Sequence, residues 1–137
     1  MNLRDLKILL IEDDAIEVMK MKRTISRFDQ DHELIEAENG EEALDLLKQT
    51  IIPDIILLDL NMPKMSGIDF LKKMKSDNRF KYIPTIILTT SSNERDLQAC
   101  YELGIAGYVL KPLKYDEYVL KIHRLLDYWS ANELYSL

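Results

Sequence analysis

The most constraining stretch of this chain is a run of four apolar residues, Ile55–Leu58, which ends at the single carboxylate of Asp59. Pro53 lies just before the run, and residues 62–67 follow it with the composition of a turn. Uninterrupted apolar runs of this length are typical of strands buried on both faces of a parallel sheet. Such sheets bind ligands beyond the carboxyl ends of their strands. Asp59 is therefore a candidate nucleophile or metal ligand, and an acidic helix cap or a solvated turn residue is the alternative.

Four further segments predict strands, and helical segments follow all five. The predicted strands cover residues 7–11, 33–37, 55–58, 84–89 and 107–110, and the predicted helices begin near Asp14, Glu41, Ser66, Ser91 and Lys114. Asp14 can cap the first helix, and residues 91–94 have the spacing of a capping box that begins at Ser91. Strands that alternate with helices predict right-handed crossovers and a parallel sheet with helices on both faces. The sequence thus predicts an α/β, flavodoxin-like fold with the doubly wound order 2-1-3-4-5. In that order the switch point lies between the first and third strands.

Three of the other predicted strands also end in groups that suit phosphate and metal. Glu12, Asp13 and Asp14 follow the first strand, Thr89 ends the fourth, and Lys111 follows the fifth. Clustered carboxylates repel one another unless a cation lies among them, and oxygen ligands favour a hard divalent ion such as Mg²⁺. A carboxylate nucleophile beside such an ion suits phosphoryl transfer, with a lysine and a hydroxyl available for the phosphate oxygens.

Composition narrows the class of protein. The 137 residues are 47% hydrophobic and 31% charged, which indicates one globular domain that can bury a core. A formal net charge of −6 argues against nucleic-acid binding. Cys100 is the single cysteine, so an internal disulfide is excluded, and its apolar helical context indicates a buried side chain rather than a reactive thiol. The sequence has no apolar leader and no long membrane-spanning run. We expect a cytoplasmic protein that binds neither nucleic acid nor membrane.

Taken together, these motifs resemble the receiver domain of two-component response regulators, the chemotaxis-regulator-like family. The resemblance predicts one receiver domain over residues 1–137, with a core at about residues 5–129 and a tail at residues 130–137. The motifs that support it are Glu12-Asp13-Asp14, residues 58–63 with Ser66-Gly67, Leu88-Thr89, and residues 108–112.

The resemblance implies a role for each acidic residue of the motifs. Asp59 would accept a phosphoryl group from the phosphohistidine of a sensor histidine kinase. Mg²⁺, or alternatively Mn²⁺, would be held by Asp13, by Asp59 and by the backbone carbonyl of Asn61, with Glu12 acting through a metal-bound water. Beyond this metal-dependent self-phosphorylation and self-dephosphorylation, the resemblance implies no enzymatic turnover.

Three residues near the fourth and fifth strands would respond to the phosphoryl group, and a fourth, Pro112, would shape the loop beside them. Lys111 would pair with the phosphoryl oxygens. Thr89 would bond the group and move toward it, and Tyr108 would be an aromatic switch that turns inward as Thr89 moves. The bond between Lys111 and Pro112 is expected to be cis, which the small trans preference of X-Pro bonds permits.

Output is expected through the face formed by the fourth helix, the fifth strand and the fifth helix. The last predicted helix ends close to the end of the sequence, which predicts a stand-alone receiver that acts on a downstream protein. Apolar residues within one arc of that helix, continued by Leu134 and Tyr135 in the tail, favour a homodimer that tightens on phosphorylation. The alternative is that the part of this apolar arc that extends beyond the strand beneath it packs on neighbouring loops. Residues 91–94 and 128–129 also resemble the small regulators paired with bacterial phytochrome kinases.

The residues leave other functions open. One alternative is an intermediate phosphoryl carrier in a phosphorelay, which would exchange the group with a phosphotransfer protein. A phosphatase with an aspartate nucleophile is less favoured, because it would need an acid two residues after the nucleophile, where this chain has Asn61. A nucleotide-binding module would need a glycine-rich loop after the first strand, where the chain has acidic residues.

Overall fold

Strands and helices alternate along the computed structural model, which describes residues 3–49 and 51–135. The predicted order of elements is confirmed. Residues 1, 2, 50, 136 and 137, which the predicted domain includes, lie outside the described residues. None of the described helices is long and apolar enough to cross a membrane. The strands are β1 (Lys7–Ile11), β2 (Glu33–Ala37), β3 (Ile55–Leu58), β4 (Thr85–Thr89) and β5 (Gly107–Leu110), and the helices are α1 (Ala15–Ile25), α2 (Gly40–Lys48), α3 (Gly67–Lys75), α4 (Glu94–Glu102) and α5 (Tyr115–Ser130).

The five strands form one parallel sheet in the order β2-β1-β3-β4-β5, as predicted. The register pairs Ile11 with Leu58 at the ends of β1 and β3, and Thr89 with Leu110 at the ends of β4 and β5. Because the paired strands run in parallel and end at the same level, the residues that follow them come out at one edge of the sheet.

The side chains of β3 divide the core into two layers. Ile56 and Leu58 contact the cluster that includes buried residues of α2, α3 and α4, whereas Ile55 and Leu57 contact the cluster of α1 and α5. All four β3 side chains are 0% exposed. This two-sided burial is the physical reason that the strand has no polar residue before Asp59. Cys100 lies in the first cluster, so its predicted burial is confirmed.

The starts of two helices test the capping predictions. Asp14 caps α1 as expected, because its carboxylate accepts the Ile16 N–H at 2.9 Å. The predicted start of α4 at Ser91 is wrong. Asn93 is the cap, since its amide oxygen accepts two backbone N–H groups of the first turn and therefore satisfies two otherwise unpaired donors. The Ser91 hydroxyl instead contacts the Asp96 carboxylate at 3.0 Å.

The predicted cis bond before Pro112 is also wrong. Every peptide bond among the described residues is trans, including the bond between Lys111 and Pro112. X-Pro bonds favour trans by about 0.5–1 kcal/mol, and tertiary contacts must overcome that preference before a cis bond is stable. Here the next residue, Leu113, is 97% exposed, so its side chain supplies no packing that would favour the other isomer.

In the described part of the tail after α5, residues 131–135, Leu134 is half-buried against the domain, whereas Tyr135 is 65% exposed. Leu134 contacts the core cluster of α1 and α5. The ring of Tyr135 lies 4.9 Å from the ring of Tyr82, just before β4. The Ser130 hydroxyl donates to the carbonyl of Arg4 at 3.0 Å. The prediction that the tail adds to an exposed contact surface is therefore wrong for Leu134, because burial against the core competes with exposure.

Candidate functional site

Backbone hydrogen bonds fix the chain where the strands end. The N–H of Asp59 donates to the carbonyl of Ile11 at 3.1 Å, so the end of β3 is held against β1. The N–H of Lys111 donates to the carbonyl of Thr89 at 2.8 Å, which holds the end of β5 against β4. Glu12 is bonded in the same way to the end of β2. These side chains therefore start from a rigid edge rather than from mobile loops.

Three carboxylates meet at this edge. Carboxylate oxygens of Glu12, Asp13 and Asp59 all lie within 4.8 Å of one another. Asp13 is exposed, whereas Glu12 is only 5% exposed and Asp59 only 9%. An all-oxygen donor set of this kind, with one side open to water, fits a hard divalent cation. The structure thus brings together the three acidic side chains that the sequence predicted to converge.

Lys111 supplies the positive charge of the group. Its ammonium lies 2.5 Å from Oε1 of Glu12 and 3.7 Å from Oε2 of Glu17, and the lysine side chain is 8% exposed. Burial alone would lower the pKa of this ammonium, but the hydrogen bond to Glu12 and the nearby carboxylate charges outweigh burial and raise it above its usual range. Lys111 is therefore a permanent cation at this edge.

The phosphoacceptor candidate sits in an unfavourable place for a charge. Burial raises the pKa of Asp59 above its ordinary value, and the nearby Asp13 charge acts in the same direction. The Lys111 ammonium, the Thr89 hydroxyl and the Leu60 N–H oppose this rise only in part. A bound cation would remove much of the remaining repulsion. The electrostatics of the site therefore favour a metal ion among the carboxylates.

Gly67, the first residue of α3, lets the helix approach the backbone that bears Asp59. A Cβ atom at this position would lie 2.5 Å from the Asp59 carbonyl oxygen and 2.8 Å from the Leu60 Cα. The Gly67 N–H also donates to the Leu60 carbonyl at 3.1 Å. The glycine of the Ser66-Gly67 motif is thus explained sterically, since any larger residue at position 67 would push the backbone of Asp59 and Leu60 away from α3.

A chain of contacts links the buried Thr89 to Tyr108. The Thr89 hydroxyl accepts the Ser91 N–H at 3.3 Å, and the Tyr108 hydroxyl donates to the Ser91 carbonyl at 2.8 Å. Tyr108 is half-buried and Thr89 is 0% exposed. Ser91 is therefore the shared partner of both proposed switch residues. No switch role was predicted for Ser91, although its position two residues after Thr89 was a usable signal.

Other predicted and unpredicted residues surround this group. Asn61 is exposed two residues beyond Asp59, and a metal-binding role for its carbonyl stays a prediction. Glu17, in the first turn of α1, was not singled out from the sequence, although it contacts Lys111. Exposed apolar side chains follow the site residues along the chain: Ile16 (67% exposed) and Met19 (58%) in α1, and Leu113 (97%) two residues after Lys111.

The chain is similar to known proteins over most of its length. The profile of the response regulator receiver domain matches residues 8–123. Chemotaxis protein CheY1 of Helicobacter pylori strain J99 is 35% identical to this chain over 107 residues, which cover 78% of this chain and 86% of CheY1.

Solved structures agree with that match. The crystal structure of the phosphorylated cyanobacterial phytochrome response regulator RcpA is similar with a TM-score of 0.91 and 31% identity, and the match covers 96% of this chain and 99% of RcpA. The Mn²⁺-bound form of response regulator Rcp1 is similar with a TM-score of 0.89 and 32% identity, over 96% of this chain and 99% of Rcp1. Both matches span nearly the whole of each chain.

Proposed function

The chain belongs to the response regulator receiver domain family, and on that premise we propose that Asp59 accepts a phosphoryl group from the phosphohistidine of a sensor kinase. The predicted receiver family, the fold and the likeness to phytochrome-associated regulators are confirmed. The identity of the acceptor and of the donor is our proposal. The observation that supports it best is the convergence of Glu12, Asp13, Asp59 and Lys111 on one edge of the sheet.

We further propose that Asp13 and Asp59 bind Mg²⁺ directly, together with the carbonyl oxygen of Asn61, and that Glu12 acts through a bound water. The all-oxygen donor set supports a hard ion, because Mg²⁺ prefers one or two carboxylates and keeps several waters. The Mn²⁺-bound state of Rcp1 supports Mn²⁺ as a substitute. Such an ion, when bound, neutralises charge that develops on the phosphoryl oxygens.

The transfer itself needs only a nucleophile, a cation and a leaving group. A carboxylate oxygen of Asp59 attacks phosphorus, and a P–O bond forms as the P–N bond to the donor imidazole breaks. The electron pair of the P–N bond stays on the imidazole nitrogen, which then takes up a proton. Lys111 pairs with a phosphoryl oxygen in exchange for part of its contact with Glu12. Attack by water on phosphorus later breaks the bond between phosphorus and the Asp59 oxygen, releases inorganic phosphate and restores the Asp59 carboxylate.

The surroundings of the site suit a protein donor better than a small phosphate ester. Ile16 and Met19 in α1, and Leu113 two residues after Lys111, are exposed apolar side chains close in sequence to the site residues, and we call these three residues the apolar rim. Exposed apolar surface of this kind often marks a protein contact. We propose that the histidine-bearing domain of the kinase, or a phosphotransfer protein, docks on this rim and delivers its phosphohistidine to Asp59.

Labelling of a single aspartate tests the proposed acceptor. Incubation with Mg²⁺ and acetyl phosphate or a phosphoramidate should add one phosphoryl group, detectable by intact mass as an acid-stable, base-labile adduct. Asp59→Asn should abolish the adduct. Asp54→Asn is the matched control, because it removes a carboxylate from the other end of the same strand and should leave labelling unchanged. Labelling of Asp59→Asn at the wild-type rate would show that the acceptor is another residue.

The signal then passes, we propose, through Thr89 and Tyr108 to the face of α4, β5 and α5. When Thr89 turns to the phosphoryl group it gives up its Ser91 contact, and Tyr108 loses its fixed partner in turn. Several exposed apolar side chains on this face support a protein contact there: Leu97, Tyr101, Leu110, Leu120 and Tyr128.

A second copy of the chain is the first partner to test on this face. Sedimentation with and without beryllofluoride, a stable mimic of the phosphoryl group, should show a dimer that tightens when the mimic binds. Tyr128→Ser should weaken that dimer, because Tyr128 is 62% exposed and its loss spares the core. Trp129→Ala is a poorer probe, since Trp129 packs on the α1 and α5 cluster. A monomer in both states would assign the face to a different protein.

A further inference from the structure

Glu17 lies between two lysines, and each lysine contacts a different oxygen of its carboxylate. Lys20 is 3.3 Å from Oε1, and Lys111 is 3.7 Å from Oε2. The side chains of Glu17 and Lys20 are about a quarter exposed, whereas that of Lys111 is 8% exposed. Glu17 thus joins a helix-surface ion pair to the buried cation of the phosphorylation site.

Lys20 is held in place from its other side. Its ammonium lies 4.5 Å from the centroid of the Tyr118 ring. Tyr118 is a fully buried residue of α5, at 1% exposure. A cation above the face of an aromatic ring is attracted by the ring electrons. Glu17 is therefore anchored by a lysine that α5 itself helps to place.

The Lys111 ammonium can therefore pair either with these carboxylates or with the phosphoryl group. In this structure its ammonium contacts Glu12 and Glu17, and both carboxylates lie on the β1 and α1 side of the site. The proposed reaction requires the same ammonium to pair with the phosphoryl oxygens on Asp59. Each resting contact of Lys111 must weaken before it can do so.

We infer that Glu17 is a positioning residue that competes with the phosphoryl group for Lys111, and that Lys20 sets the strength of this competition. The inference rests on the proposed function, because the competition matters only if Asp59 is phosphorylated. Lys20 neutralises part of the Glu17 charge, so it weakens the hold of Glu17 on Lys111. Loss of Glu17 should favour the phosphorylated state, and loss of Lys20 should disfavour it.

A simpler interpretation is an ordinary surface ion pair between positions i and i+3 of α1. Such pairs contribute little to stability. That interpretation predicts no effect on the site other than long-range attraction, and long-range effects of separate charges add together. The positioning role predicts the opposite: Lys20 acts only through Glu17, so its substitution should have no effect once Glu17 is neutral.

The test measures beryllofluoride binding to the Mg²⁺-loaded protein by ¹⁹F NMR. Glu17→Gln should lower the concentration needed for half-saturation by about two- to fivefold, the scale of a partly exposed ion pair. Lys20→Met should raise it, and Lys20→Arg should restore the wild-type value. The double variant should match Glu17→Gln alone. Glu41→Gln removes the same charge from an exposed position of α2 and should change nothing.

A second readout needs neither metal nor phosphoryl mimic. The ¹⁵N signal of the Lys111 ammonium in the metal-free protein should move in Glu17→Gln and in Lys20→Met, but not in Glu41→Gln. Unchanged signals, or strictly additive shifts of the half-saturation in the double variant, would overturn the positioning role. Failure of the wild-type protein to bind beryllofluoride at all would instead overturn the proposed function and remove the basis of the inference with it.

Discussion

Asp54 and Asp59 flank the same strand, β3, yet the two ends of the sheet treat their carboxylates differently. Asp54 lies at the amino end, where its Oδ2 accepts the Lys7 N–H at 2.7 Å. Asp59 lies at the carboxyl end and is 9% exposed, and one of its carboxylate oxygens lies within 4.8 Å of carboxylate oxygens of Glu12 and Asp13. The Asp54 carboxylate accepts a backbone N–H of β1, whereas the Asp59 carboxylate lies close to two like charges.

The contrast extends beyond this pair. At the amino end Asp5 accepts the Asp31 N–H at 2.8 Å, so a second carboxylate bonds backbone there. At the carboxyl end the cation Lys111 only partly offsets the buried negative charge. The carboxylates at the amino end of the sheet thus stabilise the fold through backbone hydrogen bonds. Those at the carboxyl end repel one another, which destabilises the fold but makes the site attractive to cations.

The largest expected effect is on metal binding. Asp13→Ala should weaken Mg²⁺ binding by at least about 10- to 100-fold, because removal of groups that merely support a metal ligand already costs that much. Glu12→Ala should cost less, since its proposed contact runs through water. Asp54→Ala should leave the affinity unchanged. Calorimetric titration with MgCl₂ measures all three, and equal affinity in wild type and Asp13→Ala would remove Asp13 from the ligand set.

The next effect is steric. Gly67→Ala should destabilise the protein by about 1–3 kcal/mol, the usual cost of forcing an added group into packed atoms, because its Cβ would meet the Asp59 backbone at 2.5 Å. It should also slow labelling of Asp59. Gly107→Ala, at the amino end of β5, is the matched control, since its Cβ would come no closer than 3.8 Å to Ile86. Urea unfolding of both variants checks the difference, and equal losses would contradict it.

The smallest effect concerns pH. The folded-state pKa of Asp59 is raised, so the folded protein holds its proton more tightly than the unfolded chain does. The contribution of this group to the free energy of unfolding is therefore lost as the pH rises above the ordinary pKa of an aspartate. Metal-free Asp59→Asn should be more stable than wild type at pH 7 by about 0.5–2 kcal/mol. This advantage should shrink as the pH approaches 4.

The same unfolding series sharpens the comparison of the two strand ends. Asp54→Ala should lose about 0.5–1.5 kcal/mol at pH 7, because it leaves the Lys7 N–H without its acceptor. The two ends of β3 would then respond with opposite signs. A loss of stability in metal-free Asp59→Asn would mean that the partners of Asp59 outweigh its burial.

Local sequence patterns were sufficient to predict the order of strands and helices and the edge of the sheet at which the site lies. The apolar run of β3 and the helical segments around it dictate a parallel sheet, and the sheet order brings Glu12 and Asp59 together without any knowledge of side-chain contacts. Asp14 was recognised as a cap because capping depends on residues two or three positions away.

The features that the sequence did not predict depend on competition between neighbouring residues for one role, or on contacts with distant parts of the chain. Ser91 and Asn93 both resemble caps, and only the path of the chain after Thr89 decides between them. The contact of Glu17 with Lys111 requires the rotation of α1 about its axis and the exit direction of β5, neither of which is a local property. The packing of Leu134 likewise depends on a core built by distant segments.

The hydrogen bond between Ser130 and Arg4 joins residues 126 positions apart, and the Arg4 N–H returns a bond of 3.2 Å to the Ser130 carbonyl. The segment just before β1 is thereby bonded to the end of α5. Contact between such distant segments favours circular permutation, in which a short linker joins the segment that carries Ser130 to the segment that carries Arg4 and the chain is opened elsewhere. Opening it at the exposed Asn78, between α3 and β4, would leave every strand uncut. Arg4 precedes the amino end of β1, whereas Asp59 follows the carboxyl end of the neighbouring β3, so the Asp59 site should tolerate the rearrangement.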